Sequence, residues 1–302
     1  MLSGGHILAI VLAFGASIAV ATHNLFVRSG TEHGTPADAY FVVVSISTVV
    51  LVPIVGVIYY PNYGLTLVAG LSFISAGLVG ALFGMLMLYV SIERIGAGRT
   101  TPIMASQALF ATILGVLILG ETLNAAHAAG VLLMVIGIAV IARETSTENP
   151  DKLSRRDLLF SLSFAFGAAI AFGWEPIFAN FGFAEGTPAM VGAAVKTTAA
   201  WLGFTLYLRY RRGLAHLSRI RSDDLRWYML AGIAYTLFMI GYYFGLEIAP
   251  VSLVVPIIIT STLWVVVLSA LVMPQRLERV TWRLAAAATL VVIGAILVTT
   301  FA

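Results

Sequence analysis

A glutamate and a lysine stand in stretches of the sequence that are otherwise apolar: Glu175 in Phe172-Gly-Trp-Glu-Pro-Ile, and Lys196 in Gly192-Ala-Ala-Val-Lys-Thr-Thr. A charged side chain in hydrocarbon costs about 2.5–3.5 kcal/mol or more, so such groups face a cavity or a partner. Paired, the two could simply neutralise each other and fix packing. Unpaired by a solute, Lys196 would hold an anionic group while Glu175 holds an amine or a proton. His23 and Asn24 form a third polar point, and an imidazole, which titrates near neutral pH, can relay protons. Gln107 and Ser261, beside Ser106 and Thr260, put polar groups in two further apolar runs, where interhelical hydrogen bonding is the alternative role. Trp174, Trp264, Tyr235 and Tyr242 are deep aromatics that could stack on a solute or fill the core.

These residues need elements that can hold them, and composition says which. The chain has 302 residues, 60% hydrophobic and 10% charged, where a soluble domain is about 25% charged. That balance excludes intrinsic disorder, nucleic-acid binding by a basic domain and a secreted disulfide scaffold. There is no cysteine, hence no thiol nucleophile or thiolate metal site. Neither a Walker loop nor metal-ligand spacing is present, and no nucleophile lies beside a base. The expectation is an integral membrane protein that is not an enzyme, needs no cofactor or metal, and has the lipid bilayer and a small-molecule substrate as partners.

A membrane helix needs about 20 mostly apolar residues. Ten runs qualify, with boundaries near 5–27, 37–60, 65–92, 101–119, 125–142, 158–180, 188–208, 225–248, 251–273 and 281–301. The chain has 17 Lys and Arg, and all except Lys196 fall after the first, third, fifth, seventh or ninth span. Short loops rich in Lys and Arg stay cytoplasmic, which predicts a multi-pass protein of the cell (inner) membrane with both termini outside.

The chain also repeats itself. His23-Asn-Leu-Phe with Gly34-Thr-Pro-Ala aligns with Glu175-Pro-Ile-Phe and Gly186-Thr-Pro-Ala; Glu93, Pro102 and Leu123 align with Glu247, Pro256 and Leu277. His23 is thus the repeat-mate of Glu175, and Gln107 that of Ser261. Five spans per copy is an odd number, so the second copy enters the membrane inverted. The expected fold class is an all-α membrane protein of ten transmembrane helices in two inverted five-helix repeats. Its units are 1–143, a cytoplasmic linker 144–157, and 158–302. Inverted repeats are an architecture of secondary transporters, with the solute site near the midplane between the halves. Tyr59, Tyr60, Tyr63, Trp227 and Tyr228, at span ends, read as the interfacial belt. Gly77, Gly80 and Gly84 share a smooth face of span 3 and read as packing residues.

The stretch Leu88-Tyr-Val-Ser-Ile-Glu93, then Pro102, Leu117-Ile-Leu-Gly-Glu-Thr-Leu123, Gly130 and Val135-Ile-Gly137 resembles the EamA-type repeat of the drug/metabolite transporter superfamily. The second copy departs at the Leu-Gly-Glu-x-Leu turn, reading Met273-Pro-Gln-Arg-Leu277. The resemblance implies a secondary active transporter of small organic metabolites, amino acids or related solutes, working by alternating access with H+ as a candidate coupling ion. It also implies a central cavity lined by spans 1, 3, 4, 6, 8 and 9, which favours His23, Gln107, Glu175 and Tyr235. A drug or sugar carrier of the same fold, and a non-transporting membrane sensor, are the alternatives.

Overall fold

The computed structural model describes residues 4–31, 34–95, 97–144, 155–211, 220–272 and 282–301. Ten helical units follow the chain order. They are α1 (Gly4–Gly30), α2 (Pro36–Ile58), α3 (Leu67–Ile95), α4 in two pieces (Ala97–Met104 and Gln107–Leu119) and α5 (Ala125–Glu144). The second five are α6 (Arg155–Ala184), α7 (Ala189–Arg211), α8 (Ser222–Ile248), α9 in two pieces (Val251–Ile259 and Ser261–Val272) and α10 (Trp282–Thr300). Nine of the described units are long and apolar enough to cross a membrane, and Ala286–Thr300 of α10 is a shorter apolar helix. Helix α6 begins at Arg155, so the last three residues expected in the linker are helical. The linker's 145–154, the turn at 273–277, and Lys152, Arg212, Arg219, Arg276 and Arg279 lie outside the described residues.

Each principal packing pair joins one of the first five helices to one of the second five. Helix α1 lies along α8, α3 along α6, α2 against α7 and α8, α3 against α7, α4 against α6 and α9, α1 against α9, and α5 along α10. Small residues let these backbones approach, replacing the hydrophobic drive that lipid removes. Ala9, Ala13 and Ala16 of α1 are buried, and a Cβ added at Gly241 would touch Ala16 and the Leu12 carbonyl. On α5 and α10, Gly130 and Gly294 face each other's carbonyl oxygens. The described arginines gather at one end of the bundle. There Arg94 lies over the Phe160 and Phe164 rings at 5.2 and 5.7 Å, and Arg283 meets Glu144 at 3.4 Å. Tyr228 is at this end too but is fully buried against Gly30 and Gly34, so it is a packing residue rather than part of the belt. Gly34 and Gly30 make room for its ring. Tyr60, by contrast, is 76% exposed.

Three interruptions are not visible as breaks in the apolar runs. Helix α3 widens into a π-helical stretch over Gly77–Gly84, and the Tyr40 hydroxyl donates to the Ala81 carbonyl within it. Helices α4 and α9 both break just after a proline, Pro102 and Pro256. A proline has no N–H for the carbonyl four residues back. For Pro256 that carbonyl is Ser252, which lies 2.9 Å from His127 Nε2. The N-terminus of α9 is closed by Glu121, whose two carboxylate oxygens accept from the Val251 and Ser252 amides at 2.6 and 2.9 Å. An anion there satisfies orphan donors and the positive end of the helix. Gly120, with φ of 71°, turns the chain, and Gly115 leaves the space that the Glu121 carboxylate fills.

Candidate functional site

Glu175 and Lys196 meet. Helix α6 carries the carboxylate, about 13 Å from the helix end opposite the arginines, and α7 the ammonium, about 10 Å from that end, at 1.5 Å per residue. Lys196 Nζ lies 3.4 Å from Glu175 Oε1. Both side chains are buried, at 3% and 6% exposure for the residues.

Helix α8 completes the shell. The Tyr243 hydroxyl donates to Glu175 Oε1 at 2.9 Å, and the Tyr242 hydroxyl to Oε2 at 3.2 Å. Lys196 also lies 3.2 Å from the Met239 sulfur and 5.6 Å from the centroid of the Tyr243 ring, with Tyr235 a further polar neighbour. Carboxylate, thioether and ring face together form a cage suited to an ammonium group. The fourth wall is the π-helical stretch of α3. A Cβ on Gly77 would strike the Lys196 carbonyl, and one on Gly80 would come within 2.5 Å of the Glu175 Cβ. These glycines do pack, as their spacing suggests, and what they pack on is the ion pair.

A line of rings runs from this cage to His23. His23 is buried, with Nδ1 3.1 Å from the Ala231 carbonyl, which places its proton on that nitrogen. Its ring centroid is 5.3 Å from Tyr235, which is 5.6 Å from Phe238, which stacks on Tyr242 at 5.4 Å. His23, Tyr235, Tyr242 and Glu175 are therefore joined through α8.

The other expected residues lie apart from this group. Gln107 and Ser261 are the first residues after the two helix breaks, equivalent places on α4 and α9. Beside them, Ser106 Oγ donates to the Ile103 carbonyl at 2.6 Å, and Thr260 pairs with Ser17 of α1 at 3.0 Å. Trp174 stacks on Phe178 of its own helix at 5.5 Å. Trp264 is half-buried and Asn24 exposed. Among the described residues, no hydrogen bond or ring contact joins Asn24, Gln107, Ser261, Trp174 or Trp264 to the cage. Tyr243 and the lysine contact of Met239 were not legible as site features. The available signal was the tandem Tyr242-Tyr243 in mid-span, one turn after Met239.

The arrangement thus belongs to a multi-pass membrane protein with a buried cage of one carboxyl and one amino group between its helices. Residues 7–143, spanning α1–α5, match the model of the EamA-like transporter family. That stretch is similar to the family, which is part of the drug/metabolite transporter superfamily. No curated protein matches the chain. Among solved structures, one described only as "Crystal structure of protein" superposes with a TM-score of 0.78 at 16% identity, covering 97% of this chain and 96% of that one. That likeness is one of fold.

Proposed function

We propose that the protein is a secondary active transporter of small organic metabolites, amino acids or closely related solutes, and that the Glu175–Lys196 cage is its solute or coupling site. The observation that carries this reading is the buried ion pair itself. In a membrane, a pair held by hydroxyls and a thioether can trade partners without exposing a bare charge, because each donor can turn to a new acceptor. An amino group entering the cage would take the place of the Lys196 ammonium at Glu175, and a solute carboxylate would go to Lys196. A proton on Glu175 would release Lys196 in the same way, which makes H+ the candidate coupling ion and His23 its candidate relay.

Alternating access by two inverted five-helix halves is the mechanism we infer. It is supported by the packing pairs: exchanging every helix for the one five places along turns α1–α8 into α6–α3, α2–α8 into α7–α3 and α1–α9 into α6–α4. The pairs α2–α7, α4–α9 and α5–α10 map onto themselves. The arginine-rich end is the cytoplasmic one in this reading, with both termini outside in a cell (inner) membrane. The chain has no native cysteine, so Asn62→Cys should react with an impermeant maleimide from outside the cell while Ser222→Cys should not.

The test of the function is counterflow in proteoliposomes loaded with each common amino acid, at pH 6 and pH 8. Exchange by the wild type, abolished in the Glu175→Gln, Lys196→Met double variant, is the expected result. Equal flux in the two proteins would overturn the role of the cage. Absence of exchange across wider solute panels would favour the sensor.

A further inference from the structure

One cavity lined by described residues lies away from the ion pair. It is a groove of about 1190 Å³ bounded by α2 and α7, which are expected to stand outside the central cavity, by one face of α3 and by the loop at 61–65. We propose that this groove is a binding site for the acyl chains of a single membrane phospholipid.

Its chemistry is graded along its length. At the end opposite the arginines it begins with Asn62 and Tyr63, the only polar side chains besides Thr198 among its lining residues, none of which is charged. The Thr198 hydroxyl is already spent on the Ala194 carbonyl at 2.7 Å, so the body of the groove is apolar. From Val191 to Leu206 it follows about 22 Å of α7 at 1.5 Å per residue. One leaflet contributes about half of a 30 Å hydrocarbon core, so a whole chain fits with its glycerol end at Asn62 and Tyr63. The polar end is preformed: the Thr187 hydroxyl donates to the Gly64 carbonyl at 2.6 Å, and Thr66 bonds Glu185 at 2.9 Å.

A small zwitterionic solute is a poor occupant. It would find no charge to answer its own, and the volume exceeds the roughly 300–1,000 Å³ of small-molecule sites. The side walls stand open to lipid, since Val52, Leu202 and Leu206 are 45%, 51% and 67% exposed. The floor is shared with the cage. Ala194, Val195, Thr198 and Ala199 bracket Lys196 on α7, while Ile74 and Leu78 bracket Gly77, whose Cα faces the Lys196 carbonyl. A chain in the groove would therefore brace the seam between α3 and α7. Binding itself is independent of what, if anything, the cage transports.

The test uses the full chain in nanodiscs containing phosphatidylcholine or phosphatidylglycerol with a diazirine on the acyl chain. After illumination, labelled peptides are mapped by mass spectrometry. Labelling should concentrate at least fivefold on Val52, Ile74, Leu78 and Leu202 relative to the exposed Val292, Ile293 and Ile296 of α10, with either headgroup. Gly56→Phe is the blocking variant: a Cβ at Gly56 meets nothing within 4 Å, so the ring can fill the groove without striking the backbone. It should reduce groove labelling to the α10 level while circular dichroism and thermal midpoint stay as in the wild type. Leu206→Trp, at a lining position that is 67% exposed, is a second variant with the same expectation. Equal labelling of groove and α10, or labelling that survives both variants, would overturn the proposal. So would chain-to-chain crosslinks at these positions, which would make the occupant a second copy, and labelling by one headgroup alone, which would make recognition one of charge.

Discussion

Glu121 and Glu175 are two carboxylates with opposite partners. Glu121, half-buried at a turn, accepts from two backbone amides at the head of α9. Those donors cannot leave without unravelling the helix. Glu175, buried in mid-membrane, is held only by side chains: an ammonium and two hydroxyls from α7 and α8. Every one of those donors can rotate away while its helix stays intact. The difference teaches that a buried acid is a fastener or an exchange point according to whether backbone or side chain supplies its hydrogen bonds.

Breaking that contrast should give graded effects. The largest is expected for Glu175→Gln, which leaves the Lys196 ammonium buried without its counter-charge. Stranding one member of a buried pair costs about 3–5 kcal/mol, read as a lower thermal midpoint in detergent, together with loss of flux. Adding Lys196→Met should restore most of the stability and none of the flux. If the double variant transports like the wild type, Glu175 is a fastener too and the contrast fails.

Gly80→Ala comes next. The new methyl would sit about where the Glu175 Cβ comes within 2.5 Å, so α3 must shift away from the cage. Overpacking of this kind costs about 1–3 kcal/mol, and flux should fall more steeply than stability. The control is Gly15→Ala, at a position where a Cβ meets nothing within 4 Å, which should change neither.

Glu121→Gln keeps one carbonyl acceptor and loses the charge, so about 1 kcal/mol of capping is expected to go. The midpoint should drop with counterflow within about threefold of wild type at a permissive temperature; a hundredfold loss of flux would place Glu121 among the moving parts. The finest probe compares Tyr243→Phe with Tyr242→Phe. The first removes the 2.9 Å bond and the second the 3.2 Å bond, so Tyr243→Phe should lower apparent solute affinity the more, by about 1 kcal/mol or fivefold.

The nine long apolar helices and the shorter tenth were legible because a bilayer demands apolar runs, and the single arginine-rich end because basic loops alternate with them. The depth match of Glu175 and Lys196 was legible for the same reason: a charge in hydrocarbon has to be near a partner. What composition conceals is helix rotation and register. Nothing in the run around Tyr243 says which way that ring turns, and the π-helical widening at Gly77–Gly84 reads in sequence as an ordinary glycine face. Tyr228 looked like a belt residue because a tyrosine at a span end has the same type and position whether lipid or two glycines receive it. The spacing of Gln107 and Ser261 could not tell that each begins a new helical segment rather than reaching the cage.

The packing pairs carry one more consequence. Because the principal contacts run between the first five helices and the second five, neither set holds a finished interior by itself; each is half of a zip. Two genes encoding residues 1–149 and 150–302 would thus make fragments that meet in the membrane and rebuild the bundle, since every face left bare on one is matched on the other. The seam along which this chain would most readily be divided is the one between its first five helices and its second five.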